Sequence, residues 1–191
     1  MSTSLGRRRL LALSPLLVAG GAGIGFWRML HGMSGGSFDP HDVDAPVLNK
    51  PVPSFDLPAQ APGRGFSAAE LSGLRAPVLV NFFASWCVPC VVEMPALLAL
   101  PSMLGRPLPV WGIAYKDRTE DASGFLQRSG NPYTRIAADC DGRTAIDWGV
   151  SGVPESFLIR PGGIVAWHTA GPLSSGMVTE ELGPALRRIG A

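Results

Sequence analysis

Apolar and polar positions divide the chain into three stretches. From Leu10 to Trp27 no residue carries a charge, with Arg7, Arg8 and Arg9 before the run and Arg28 after it. Residues 32–50 are rich in Gly, Ser, Asp and Pro with little periodicity, the pattern of a flexible linker. Residues 51–191 then read as one folded domain. The run 78–83 (VLVNFF) is short, apolar and rich in β-formers, which predicts a buried central strand, and helical spacing follows it through Leu104. Next come a strand near 108–115, a helix near 119–129, a strand near 134–138 and a short helix near 142–148. Residues 156–160 and 164–168 flank Pro161-Gly162-Gly163 and predict a hairpin, and 177–189 carries apolar residues at helical spacing. This order of elements predicts an α/β fold, a central mixed sheet flanked by helices, behind an N-terminal extension.

The uncharged run bears on address. Eighteen residues lie at the lower limit for a spanning helix and exceed the roughly 7 to 15 of a cleaved leader's apolar region. An N-terminal signal anchor over 1–31, with a single transmembrane helix about 10–27, is the expectation. A leader cleaved near Ala19-Gly20-Gly21-Ala22 is the alternative. Arg7 to Arg9 stay on the cytoplasmic side by the positive-inside rule, so the domain is expected outside the cytoplasm, held by a single pass. Apolar residues make up 46% of the 191 and charged residues 16%, which excludes global disorder. A formal net charge of +1 gives no basis for nucleic-acid binding. Four of the 16 basic residues and none of the 15 acidic ones fall in the first 38, so the domain itself is mildly acidic.

Three cysteines carry the chemistry: Cys87, Cys90 and Cys140. A structural zinc site needs four ligands, and His31, His41 and His168 form no paired motif, so no metal is expected. Haem attachment needs a histidine after the second cysteine, where this chain has Val91. A structural disulfide across so short a loop would remove little chain entropy. A redox-active Cys87-Cys90 pair remains, with no other cofactor. Cys87 falls where the strand hands over to the helix, and orphan N–H groups there favour a thiolate, which makes it the nucleophile and the more exposed thiol. Cys90 is placed to resolve a mixed disulfide, and Pro89 suits a first helical turn. Glu93, one turn past Cys90, is either the proton acceptor for that thiol or an ordinary solvated helix glutamate. Pro95 should kink the helix. Cys140, in the turn-like Asp139-Cys140-Asp141-Gly142, reads as an incidental thiol that should be hidden or harmless.

VNFFASWCVPC followed by Glu93-Met94-Pro95 resembles the thioredoxin-like superfamily, and most closely its membrane-anchored cytochrome c biogenesis branch of the DsbE/CcmG type. Lys50-Pro51-Val52-Pro53 with Phe55, GIAYKD at 112–117, Gly130-Asn131-Pro132-Tyr133 and GVSGVPESFLI at 149–159 are similar to that branch in the same order, over about 49–190. The resemblance implies a thioredoxin-like fold and an extracytoplasmic thiol-disulfide oxidoreductase that acts as a reductant in cytochrome c maturation. Its client would be the haem-binding cysteines of apocytochrome c, or a haem-ligation partner protein carrying them, and its electron donor a membrane thiol reductant. Residue by residue, Pro154 matches a cis-proline facing the dithiol, Val153 a backbone that pairs with an extended substrate, and Glu93 and Glu155 acidic residues around the site. Asn81 stands where thioredoxin itself has a buried aspartate, which moves proton handling to Glu93. Trp86 either caps the dithiol or packs as core, and His168 is expected in the core or on the hairpin surface. Ser151 departs from an aromatic residue common in the family. Rival readings are a general TlpA/ResA-type reductase and an apocytochrome-binding protein with an auxiliary dithiol. A thiol peroxidase is disfavoured, since no Pro and Thr precede Cys87 at peroxidase spacing.

Overall fold

The computed structural model describes residues 20–21, 23–28 and 45–190. The first group is helical, with exposed side chains; among the described residues no helix is long and apolar enough to cross a membrane. The remainder of the anchor expected over 10–27 lies outside the described residues, as does most of the linker expected over 32–50. The end of that linker is corrected: residues 45–50 belong to the domain. Ala45 and Val47 are buried, Asn49 donates its N–H to the Val165 carbonyl, and Val165 donates to the Lys50 carbonyl. The two apolar side chains gain burial, and the backbone gains an edge to pair with.

Two very short strands follow, β1 (Asp56–Leu57) and β2 (Phe66–Ser67), antiparallel to each other, and then helix α1 (Ala68–Ser72). Ser67 and Glu70 close α1 with reciprocal bonds of 3.4 and 3.1 Å between each side chain and the other's N–H, a capping box. The sequence reading contained none of these three elements, because two-residue strands are too short to show alternation.

The main elements are β3 (Val78–Phe83), α2 (Val88–Leu104), β4 (Val110–Tyr115), α3 (Thr119–Ser129), β5 (Tyr133–Asp139), α4 (Arg143–Trp148), β6 (Glu155–Arg160) and β7 (Ile164–Ala170). Helix α2 runs unbroken through Pro95 and Pro101 and ends at Gly105, whose φ of 65° is a left-handed value that suits glycine. The single helix expected over 177–189 is corrected to three joined segments: α5 (Ser175–Met177), a π turn π1 (Val178–Leu182) and α6 (Gly183–Arg188). Pro184 has no N–H to offer the Glu180 carbonyl, and the Gly183 N–H reaches back five residues to Val178.

The five long strands lie in the order β5-β4-β3-β6-β7, with β3, β4 and β5 parallel and β6 and β7 antiparallel to their neighbours. Two successive crossovers of one hand carry the chain outward from β3, so α2 and α3 cover the same face, joined there by π1 and α6. Leu79 and Phe83 point to that face. Val80 and Phe82 point to the other, against Trp148 and Phe157. Because β3 is covered on both sides, all six of its residues are buried, and its sequence is a continuous apolar run broken only by Asn81.

Candidate active site

Strand β6 runs antiparallel to β3, with Glu155 opposite Phe82. Its first residue therefore lies at the end of the sheet where β3 delivers the chain to Cys87, and the loop entering β6 reaches the N-terminus of α2. That loop contains the cis peptide Val153-Pro154. Cys87 is the N-cap of α2: its Sγ accepts the Cys90 N–H at 3.1 Å, and Pro89 occupies the first turn. Cys87 and Cys90 are joined as a disulfide. The Val153 carbonyl oxygen lies 3.3 Å from Cys87 Sγ. A disulfide sulfur carries no proton, so in this state the approach is a contact and not a hydrogen bond. The loop covers Cys87, leaving it 4% exposed, while Cys90 is fully buried. The openness expected of Cys87 is therefore slight in the disulfide form.

Trp86 is outside the core, 59% exposed, with its indole N–H donated to the Lys116 carbonyl at 3.4 Å. Val88 and Val92 are also exposed, so apolar surface surrounds the dithiol. The Asp117 carboxylate ties down the turn before Trp86 by accepting from the Ser85 N–H and, at 2.7 Å, from the Ser85 hydroxyl.

Glu93 is completely buried, so it is not a solvated helix residue. One carboxylate oxygen accepts from the Asn81 amide at 3.0 Å and the other from the Leu173 N–H at 3.1 Å. Asn81 also donates to the Ser156 hydroxyl at 3.1 Å and accepts from the Tyr133 hydroxyl at 2.7 Å. Burial pushes the Glu93 carboxyl up from 4.5 to about 7, against the opposing pull of the Leu173 and Asn81 hydrogen bonds. Burial and the neighbouring Glu93 also push the Tyr133 hydroxyl well above its ordinary range. Tyr133 was legible only as part of a turn and Ser156 only as part of a strand, and Leu173 carried no signal. Asn81 in an apolar strand was the one visible clue to this network.

Glu155 is corrected in its contacts. Its carboxylate turns inward, buried, on the sheet face opposite Glu93. One oxygen accepts from the Ser151 N–H at 2.7 Å, the Ser151 hydroxyl at 2.8 Å and the Gly152 N–H at 3.3 Å, and the other meets His168 Nε2 at 2.8 Å. Burial opposes its ionisation, yet the His168 and Ser151 bonds outweigh that and hold the carboxyl below its ordinary value. Of the two expectations for Cys140, hidden or harmless, the first does not hold: it is an exposed free thiol. It sits in the turn where Asp139 accepts the N–H groups of Thr144 and Ala145 and so caps α4. Among the described residues no group of three or more His, Cys, Asp or Glu is placed to hold a metal ion.

A dithiol at a strand-to-helix junction, faced by a cis-proline and backed by a buried carboxyl, is an arrangement for thiol-disulfide exchange. Known proteins agree. The AhpC/TSA family profile matches residues 48–168. The chain is 40% identical over 154 residues to the thiol:disulfide interchange protein DsbE of Xylella fastidiosa (strain Temecula1), covering 80% of this chain and 76% of that protein. It is 35% identical over 177 residues to the thiol:disulfide interchange protein HelX of Rhodobacter capsulatus, covering 93% and 95%. The crystal structure of a DsbE-type protein from Chlorobium tepidum superposes with a TM-score of 0.60 at 26% identity, covering 78% of this chain and all of that one. The chain thus belongs to the AhpC/TSA family and, within it, to the DsbE-type thiol:disulfide interchange proteins, thioredoxin-like thiol-disulfide oxidoreductases.

Proposed function

We propose that this protein is a membrane-anchored periplasmic reductant of cytochrome c maturation. Its client is the oxidised cysteine pair of apocytochrome c, or a haem-ligation partner carrying such a pair. The observation that carries the reading is the placement of Cys87 at the N-terminus of α2, under the Val153-Pro154 loop and with Glu93 one turn beyond Cys90. The Cys87 thiolate attacks one sulfur of the client disulfide; that bond breaks, a mixed disulfide forms and the first client thiolate leaves. Cys90 gives its proton to Glu93 and attacks Cys87 Sγ, which releases the second client thiolate. The client gains two electrons and ends as two thiols, while the Cys87-Cys90 pair ends as a disulfide that a membrane thiol reductant reopens. No cofactor beyond the dithiol takes part. The Val153 backbone seats an extended client segment at the cis-proline edge, and exposed Trp86 borders it.

Replacing Cys90 with Ala tests this reading, because the mixed disulfide then has no resolving thiol. The expected result is a Cys87-linked complex with apocytochrome c or a haem-handling protein in periplasmic extracts. Recovery of general secreted proteins in its place would favour a TlpA/ResA-type reductase. Normal cytochrome assembly with Cys87 and Cys90 both replaced by Ser would favour a binding protein.

A further inference from the structure

Backbone bonds hold the two ends of the loop that lies on Cys87, Val150 N–H to the Ala145 carbonyl and Gly171 N–H to the Pro154 carbonyl, and Val153 packs against the core. Ser151 and Gly152 are exposed, and a side chain added at Gly152 would meet nothing within 4 Å. Those two residues are anchored by the buried Glu155 carboxylate, whose one oxygen collects the three donors of Ser151 and Gly152. That carboxylate is fixed in turn from β7. His168 meets the second oxygen at 2.8 Å, its side chain is 8% exposed, and its ring lies against Phe157 with centroids 4.5 Å apart. In the antiparallel register His168 pairs with Phe157, two residues along from Glu155, so both side chains rise on the same face of the sheet and meet diagonally. An ionised carboxylate can only accept, so with Glu155 held in that form the facing ring nitrogen is assigned as the donor.

We propose that His168 is a positioning residue for disulfide exchange: through Glu155 it holds the 151–154 loop at the height that seats a client chain against Cys87. The chain of contact is His168, Glu155, the Ser151 and Gly152 amides, then Val153, whose carbonyl lies at Cys87 Sγ. Without a donor at His168, one oxygen of a buried carboxylate has no partner, and the group relieves this by rotating away from the loop or by taking up a proton. Either change loosens the three bonds that shape the seat. The dithiol itself and the Glu93 network, on the other side of the sheet, are left in place.

This inference rests on the reading that the Val153 edge seats the client. The test uses the full-length reduced protein and two oxidised probes: a peptide with one internal disulfide in an extended segment, and hydroxyethyl disulfide, which has no backbone to pair. For His168→Leu, KM for the peptide should rise about tenfold, the effect of losing a charge-assisted hydrogen bond, with a far smaller change in kcat and in the rate with hydroxyethyl disulfide. His168→Gln, which offers an amide N–H to the same oxygen, should recover most of the loss. Ser151→Ala removes one donor from the exposed end without touching the core and should raise the peptide KM in the same direction by less. Unchanged peptide KM in His168→Leu, equal slowing with both probes, or His168→Gln behaving as His168→Leu would each overturn the role. Should His168→Leu fail to fold, unchanged peptide KM in Ser151→Ala overturns it. A wild-type protein with no preference for the peptide would instead overturn the seating reading itself.

Discussion

A carboxyl group that keeps its proton up to about pH 7 acts on both rate and stability. For rate, the proposed transfer of the Cys90 proton needs Glu93 ionised, so resolution of the mixed disulfide should quicken as pH rises through about 7. Glu93→Gln should slow that step about 100-fold, a usual scale for a lost general base, and leave alkylation of Cys87 nearly unchanged, because that thiolate depends on the helix terminus. Rapid-quench measurement of the two steps checks this, and equal loss in both would make Glu93 the source of the field over the whole site. For stability the sign runs the other way. The unfolded chain releases this proton near 4.5 and the folded protein near 7, so the folded state loses stability as pH rises between those values, by about 3 kcal/mol in all. Urea midpoints should therefore fall from pH 5 to pH 8 in the wild type and stay flatter in Glu93→Gln. At pH 5 the variant should be the less stable by about 1 kcal/mol, because Asn81 and Leu173 donate to different oxygens and the amide NH2 would face one of these two donors.

Among the elements, β4 decides whether that network can form. Gly112 pairs with Asn81 across the parallel ladder, and a Cβ there would lie 2.9 Å from the Phe83 ring and 3.0 Å from the Tyr133 ring. The bare backbone lets those two rings stack with centroids 4.6 Å apart, and Tyr133 reaches over it to Asn81. Gly112→Ala should cost about 1–3 kcal/mol by overpacking and shift the pH dependence of the Glu93 step, since Tyr133 must move. Denaturant unfolding and the pH profile of resolution measure the two effects. Tyr133→Phe is the milder probe, removing only the hydroxyl. None of this was legible as pattern. β3 and α2 were, because a continuous apolar run and helical spacing with a cysteine pair at the junction are local signals. The partners of Asn81 come from positions 12 to 75 residues away, and only strand order brings them together.

For the whole molecule, a fragment beginning near Asp39 should keep full dithiol chemistry, since every site residue lies in the domain. The full-length chain should resist carbonate extraction from membranes. Release of an intact domain with a new N-terminus near Gly23 would mean the leader is cleaved. The sequence by itself determined the parts governed by short separations: the uncharged N-terminal run, the central strand and its following helix, and the Cys87, Pro89 and Cys90 spacing that makes a redox pair. Tertiary structure alone decided the environments. The antiparallel direction of β6 carried Pro154 to Cys87. Packing of α2 on one face of the sheet and alternation along β6 then put Glu93 and Glu155 on opposite faces, one as a buried acid with its pKa raised to about 7 and the other as an anchor for a loop with its pKa held low. Two glutamates of the same intrinsic acidity thus have their pKa values moved in opposite directions, because pKa follows desolvation and hydrogen-bond donors supplied by residues far away along the chain.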